Sequence, residues 1–338
     1  MSRPPSTEAA PTGTPRTDTP AEFGLIERHF RPLAGPGALG LLDDAAVFAP
    51  PPGRELVAAA DAMVAGVHFL PDDPADTVGA KLLRVNLSDL AAMGAVPLGY
   101  LMTVSVPRHT PEAWFAGFAA GLARDQEAFG IGLLGGDTTS TPGPVCVSLT
   151  VLGHVAPGEA LRRAGARPGD EVWVTGTIGD GALGLAALQS RLADPGGWLA
   201  GRYRLPRPRL GLRLAGVVSA CMDVSDGLVQ DLGHLCRAGA VGAEIRADWV
   251  PLSPAARAAG PGWLQTCLTG GDDYELLMAV PPARSEALRA EAARAGVPVA
   301  RIGAFVAGPP GSAEPPGVRV RGADGREVAL GAPGWSHF

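Results

Sequence analysis

The chain has 338 residues, is 46% hydrophobic and 18% charged, and carries a formal net charge of −6. That length suffices for two domains with substantial cores, and the composition excludes a disordered chain. The negative balance argues against a nucleic-acid surface.

Residues 1–20 are rich in Pro, Thr and Ser and contain no apolar run of signal-peptide length. A disordered tail on a cytoplasmic protein is expected. "EFGLIERHF" (22–30) reads as a short helix, "ELVAAADAMV" (55–64) as a strand, and "DTVGAKLLRVNLSDLAAMG" (76–94) as a helix closed by Gly94. "PLGYLMTVSVP" (97–107) reads as a strand, residues 112–130 as a helix and "VCVSLTVLGHV" (145–155) as a buried strand. The uncharged stretch from Leu90 to Pro107 is broken by Gly94, Pro97 and Gly99, so it is not a membrane span.

The polar, Gly/Pro-rich segment "APGEALRRAGARPGD" (156–170) marks a boundary between an N-terminal domain, 21–156, and a C-terminal domain, 157–338. Beyond it come the strand "EVWVTG", the helices "GDGALGLAALQSRL" and "DGLVQDLGHLCRAG", the strand "YELLMAVP", the helix "RSEALRAEAARAG" and the strand "VARIGAF". Strands alternate with helices, often in βα order, which makes both halves α/β or α+β. The four cysteines are far apart and read as buried free thiols. The histidines lack zinc spacing.

The acids are the informative feature. Asp43 and Asp44, Asp61, Asp89, Asp137, Asp223 and Asp226, and Asp272 and Asp273 each end an apolar run, where a strand or helix delivers them to an edge of the core. Any one could be a cap or a turn residue. Together they exceed what Lys81, the only lysine, and scattered arginines neutralise. Oxygen ligands without His or Cys favour a hard cation, Mg²⁺ rather than Zn²⁺, and Mg²⁺ on several carboxylates suits a phosphate site. The glycines of "LLGGDTTS" permit close backbone approach to a phosphate. "VTGTIGDGALG" puts a Gly-rich turn between strand and helix, but it matches no GxGxxG, and the chain contains no GxxxxGK[ST]. Asp223 and Asp226 would share a face if helical, with Ser225 and Asp226 near a helix N-terminus. Asp231 and His234 read as structural, and Asn86 as a residue that orients Asp89.

In this order, "EFGLIERHF", "DDAA", "GVHFLPDDPAD", "KLLRVNLSDLAAMGA", "GGDTT", "ALRRAGARPGD", "VTGTIGD", "DVSDGL", "GGDDYEL" and the closing "GWSHF" resemble the thiamine-monophosphate kinase family, within the aminoimidazole-ribonucleotide synthetase-like (PurM-like) superfamily. The resemblance covers residues 22–338. It implies a two-domain PurM-like fold, a homodimer paired through its N-terminal sheets, and ATP-dependent phosphorylation of thiamine monophosphate to thiamine diphosphate with several Mg²⁺ ions. It further implies Mg²⁺ ligands at Asp44, Asp61, Asp89, Asp137, Asp223 and Asp226, with ATP contacts at Gly136, Asp137, Arg163 and Ser225. Acceptor contacts fall on His68, Asp272 and Trp335. Two departures stand out: Ala59 and Ala60 replace a Ser-Thr pair, so only their carbonyls or water could serve a metal there, and Leu42 replaces a glycine.

The expected chemistry needs no nucleophilic side chain. A phosphomonoester with a second pKa near ~6 is largely a dianion at neutral pH, and the difficulty is joining two polyanions. Ring closure of a purine precursor, selenophosphate synthesis and non-catalytic nucleotide binding are the alternatives. Selenophosphate synthesis expects a reactive Cys near the N-terminus, and the first cysteine is Cys146.

Overall fold

The computed structural model describes residues 21–308, 317–331 and 334–336, so the expected tail at 1–20 lies outside the described residues. The N-terminal half contains α1 (Ala21–Leu25), β1 (Glu55–Val64), α2 (Ala75–Ala92), β2 (Val96–Val106), α3 (Glu112–Phe129), β3 (Leu133–Ser140) and β4 (Cys146–Val155). Its four strands form one sheet in the order β1-β4-β2-β3, with β2 and β3 parallel and the other pairs antiparallel.

The period-two pattern of β4 explains the packing. Val147, Leu149 and Val151 are fully buried and pack in one cluster with Leu82, Leu83 and Leu87 of α2 and Phe118 and Leu122 of α3. The intervening Cys146, Ser148, Thr150, Leu152 and His154 lie on the opposite face and are only half-buried. Leu56, Val96 and Leu101 register with His154 or Thr150, so they share that outer face, and all three are exposed. One side of the sheet is a core and the other is an open, partly apolar surface.

The second half contains β5 (Glu171–Thr175), α4 (Asp180–Leu188), α5 (Trp198–Arg204), β6 (Ala220–Asp223), α6 (Leu228–Gly239), β7 (Gly242–Arg246), α7 (Pro254–Ala258), α8 (Leu264–Thr269), β8 (Leu276–Val280), α9 (Ser285–Ala295), β9 (Val299–Val306) and β10 (Val318–Arg321). The strands form a six-stranded sheet, β10-β7-β9-β5-β8-β6. Ala91, Ala92 and Leu161 join a cluster with Trp173, Leu276 and Met278, which seats the C-terminal end of α2 on this sheet. Polar ties add to it. Arg84 donates to the carbonyls of Leu205 and Pro206, and Arg204 donates to Asp73 at 2.6 Å. α2 is therefore the spine between the two halves.

Candidate functional site

The strand β6 ends at Asp223, and α6 begins only at Leu228. Asp223 and Asp226 therefore do not share a helical face: one closes a strand and the other sits in the loop after it. The fully buried Asp231 explains the loop, because its carboxylate accepts the N–H groups of Asp226 (3.0 Å) and Gly227 (3.1 Å). This is the structural role expected for Asp231, and it also fixes the backbone that presents Asp226. Asp226, Asp231 and His234 have ligand atoms within 4.8 Å of one another, although Asp231 already accepts two amides and His234 contacts Arg237.

Opposite this loop, α2 brings Ser88 and Asp89. The Ser88 hydroxyl donates to Asp223 at 2.6 Å. Asn86, fully buried, accepts the Asp61 N–H at 3.1 Å and donates to the Leu82 carbonyl, so it clamps β1 to α2 rather than serving Asp89. Asp61, Asp89, Asp223 and Asp226 act on one another electrostatically. Burial, then Asp223 and Asp61, push the Asp89 carboxyl up to about 8, against the pull of Arg163. Asp223 is raised by burial and then by Asp61, opposed by the Ser88 hydrogen bond and Arg163. Asp61, exposed at the edge of the sheet, is raised by desolvation among its neighbours and then by Asp226. Arg163 is the cation acting on both Asp89 and Asp223, and one guanidinium does not balance four carboxylates. This donor set, all oxygen and short of positive charge, fits a hard divalent cation.

The expected acceptor residues meet beside this cluster. The Asp272 N–H donates to the Ser225 carbonyl at 2.9 Å, and a side chain on Gly271 would lie 2.2 Å from that same oxygen, which explains glycine there. The Trp335 N–H donates to the Asp226 carbonyl at 3.0 Å, while Gln230 donates to the Trp335 carbonyl at 2.6 Å and to the Asp226 carboxylate at 3.3 Å. His68 Nδ1 accepts the Val64 N–H at 3.0 Å. An accepting ring nitrogen carries no proton, so Nε2 holds it and His68 is a donor there. Lys81, passed over in the sequence because it matches no phosphate-loop motif, donates to the His68 carbonyl at 3.0 Å and pairs with Asp272 at 3.4 Å.

A second group stands apart. Asp43, Asp44, Gly136 and Asp137 line a cavity of about 640 Å³ whose walls include Phe23, Ile26, Phe30 and Phe48. "LLGGDTTS" forms the whole of β3, an edge strand, and a side chain on Gly136 would lie 1.8 Å from the Met102 carbonyl of β2. Leu42 has φ −106 and ψ −13, a conformation open to any residue, so the missing glycine imposes no strain. Asp61 on β1 and Asp137 on β3 occupy opposite edges of one sheet, three strand spacings apart, or roughly 14 Å at about 4.8 Å per strand. Registers place Asp61 opposite Leu149 on the helix side and Asp137 opposite Thr103 and Ser148 on the outer face. One chain therefore holds two separated groups of acids. Ala59 and Ala60 precede Asp61 on β1 and offer backbone oxygen only.

Asp273 departs from its grouping with the cation-facing acids. It is fully buried, and its carboxylate accepts the N–H groups of Gly179 (2.6 Å) and Gly181 (3.1 Å) at the start of α4. The Gly-rich turn "GTIGDG" thus binds a carboxyl group, but that group is the protein's own side chain. Asp180 is consumed similarly by Thr177, Trp198 and Ser253.

Two family models match the chain: AIR synthase related protein, N-terminal domain, over residues 42–155, and AIR synthase related protein, C-terminal domain, over residues 167–314. A thiamine-monophosphate kinase of Caulobacter vibrioides is 46% identical over 343 aligned positions, spanning 97% of this chain and 93% of its own. The chain belongs to the thiamine-monophosphate kinase family. The crystal structure of a thiamine-monophosphate kinase from Stenotrophomonas maltophilia superposes with a TM-score of 0.79 at 39% identity, covering 91% of this chain and 98% of that one. A structure of AaThiL complexed with AMPPCP and TMP superposes with a TM-score of 0.73 at 29% identity, covering 94% and 97%. The thiamine-monophosphate kinase family thus accounts for both halves of the chain and for the PurM-like, mixed α/β fold. Among the described residues no helix is long and apolar enough to cross a membrane.

Proposed function

We propose that this protein transfers the terminal phosphoryl group of ATP to thiamine monophosphate, forming thiamine diphosphate. The observation that carries the reading is the carboxylate cluster of Asp61, Asp89, Asp223 and Asp226, with Asp272 and Trp335 tied by backbone hydrogen bonds to Ser225 and Asp226. The close relation to thiamine-monophosphate kinases names the acceptor.

Asp44, Asp61, Asp89, Asp137, Asp223 and Asp226 would hold Mg²⁺, with the Ala59 and Ala60 carbonyls as the remaining candidates beside Asp61. Bound there, Mg²⁺ supplies neutralisation and alignment of the two phosphate groups. The other roles belong to the chain. Arg163 offsets anionic charge beside Asp89 and Asp223. Gly136 lets the β3 backbone approach a nucleotide in the cavity lined by Asp44 and Asp137, whose aromatic walls suit an adenine. Ser225 meets the phosphates from the β6–α6 loop. His68 donates from Nε2, Asp272 accepts from the acceptor, and the exposed Trp335 ring offers a face to the cationic thiazolium. The acceptor phosphate attacks as a dianion in a single in-line displacement, so no side chain forms a covalent intermediate.

The protein acts as a homodimer. The outer sheet face exposes Leu56, Val96 and Leu101, a surface suited to a symmetric partner. If pairing through these faces sets the β3 edge of one copy against the β1 edge of the other, Asp137 of one copy joins the acidic cluster of the second. Four free cysteines, three of them buried, suit a reducing cytoplasm.

The deciding experiment is a product assay with ATP, Mg²⁺ and a panel of phosphorylated acceptors. Thiamine diphosphate formed only from thiamine monophosphate is the expected result. ATP turnover without an acceptor, or product from another phosphate ester alone, overturns the reading.

A further inference from the structure

Lys81 is the only lysine in a chain with 28 basic residues, and its side chain is 2% exposed. Burying an ammonium group is costly unless it is paired. Its three neighbours come from three separate segments. The Nζ donates to the His68 carbonyl (3.0 Å), in the loop after β1. It pairs with Asp272 Oδ1 (3.4 Å), in the loop before β8. It lies 3.8 Å from the centre of the Tyr203 ring, on α5. The Tyr203 hydroxyl also donates to the His68 carbonyl, at 3.4 Å. Burial, followed by Asp272 and Asp73, raises the Tyr203 hydroxyl well above its ordinary range, so it stays protonated as a donor.

We infer that Lys81 is a positioning residue for the acceptor site. Its ammonium group fixes His68 from the N-terminal half and Asp272 from the C-terminal half at one separation, and thereby sets recognition of a phosphorylated, cationic heterocycle. The inference rests on the reading that His68 and Asp272 contact the acceptor.

Local geometry shows what the ammonium holds in place. Asp272 and Tyr274 have φ +71 and +52, in the left-handed region that side chains seldom adopt. Such a conformation persists only where its surroundings over-determine it. For Asp272 they include its N–H bond to Ser225 and the Lys81 ammonium. Lysine suits the space where arginine serves elsewhere in the chain. A compact ammonium directs donors to a carbonyl and a carboxylate beneath a ring face, whereas a planar guanidinium needs a wider slot. The Lys81 ammonium meets His68, Asp272 and Tyr203, not Asp44, Gly136 and Asp137 around the larger cavity or the carboxylates of the cluster. Its effect should therefore fall on the acceptor and not on the nucleotide.

The test uses the full chain with Mg-ATP and thiamine monophosphate. Lys81→Met keeps the length of the side chain and removes the charge. It should raise the acceptor KM roughly tenfold or more, as loss of one partner of a buried charge pair does, and leave the ATP KM within about twofold. Tyr203→Phe keeps the ring and removes the hydroxyl; a rise in acceptor KM of a few-fold is expected, and it decides the matter if Lys81→Met does not fold. Hydrogen exchange supplies a readout that needs no acceptor: amides at 65–70 and 270–275 should exchange faster in either variant while those at 133–140 do not. An unchanged acceptor KM, or equal rises in both KM values, overturns the inference. If the wild type forms no thiamine diphosphate, the functional reading fails. The exchange data then judge the tie by themselves, and protection unaltered in both loops overturns it.

Discussion

The backbone N–H of Trp335 donates to the carbonyl of Asp226 at 3.0 Å, so the C-terminal segment is fastened to the loop that presents a candidate metal ligand. Gln230 repeats the connection from α6 by reaching both the Trp335 carbonyl and the Asp226 carboxylate. The Trp335 ring contributes little to the core, since the residue is 53% exposed. Trp335→Ala should therefore leave the melting temperature within a degree or two of wild type. It should raise the acceptor KM about fivefold to tenfold, the worth of one cation–ring contact of roughly 1 kcal/mol or slightly more. Steady-state kinetics with each substrate varied in turn would check this; a loss confined to the ATP KM contradicts the assignment.

Asp89→Asn and Asp226→Asn should each abolish transfer and keep the fold. Each keeps side-chain size but removes a negative charge where cations must bridge two phosphate groups, at a cost of roughly 10²-fold or more in rate. Burial and its acidic neighbours push the Asp89 carboxyl up to about 8, so Asn matches its neutral form below that pH and relieves repulsion above it in the metal-free protein. Melting without Mg²⁺ should stay level or rise, while the upshift given by Mg-ATP shrinks. If these acids were only caps, metal-free stability would fall by about 1 kcal/mol and turnover would stay near normal.

The residues of the candidate site were legible in the sequence where apolar runs ended in acid, because acids that outnumber nearby basic residues are costly to bring together unless a cation balances them. Asp61, Asp89, Asp223 and Asp226 were found in this way, and the structure sets them together. Asp273 carries the same local signal yet caps α4, because its two amide partners lie about ninety residues away and leave no mark beside it. Lys81 was hidden for the opposite reason. A lysine on an apolar helix face is ordinary in sequence, and its meaning comes from His68, Tyr203 and Asp272, which only the fold assembles. The major strands and helices followed from periodicity. β3 runs past its two glycines through Ser140 because its parallel pairing with β2 overrides weak glycine propensity. Nothing local could show that Asp61 and Asp137 sit on opposite edges of one sheet.

That separation makes subunit pairing testable. Asp61→Asn and Asp137→Asn should each be inactive as pure homodimers. When the two are unfolded and refolded together, mixed dimers would carry one site with both changes and one with neither, so activity should return to a fraction of wild type. Leu101→Glu, on the exposed outer face, should give a monomer by light scattering and lose activity. If the mixed preparation stays inactive although mixed dimers form, each site lies within a single chain.

Asp273 gives a pH dependence of stability with a definite sign. Burial pushes its carboxyl up to about 8, opposed by the Gly179 and Gly181 amides and by Arg202. In the unfolded chain the same group titrates near ~4. Between these values the folded state keeps a proton that the unfolded state has released, so unfolding becomes easier as pH rises. The stability linked to Asp273 is fully present below about pH 4, declines through the window from about 4 to about 8, and changes no further above it. Asp273→Asn removes that slope. It also turns an amide N–H₂ toward one of two backbone donors and leaves that donor unsatisfied, a cost of about 1–3 kcal/mol. The variant should therefore be less stable than wild type at pH 5, with the gap narrowing as pH approaches 8. Urea unfolding of the metal-free protein at unit pH steps measures both curves. Parallel curves across the window would show that Asp273 is ionised throughout, and a gap that widens with pH would reverse the sign of the argument.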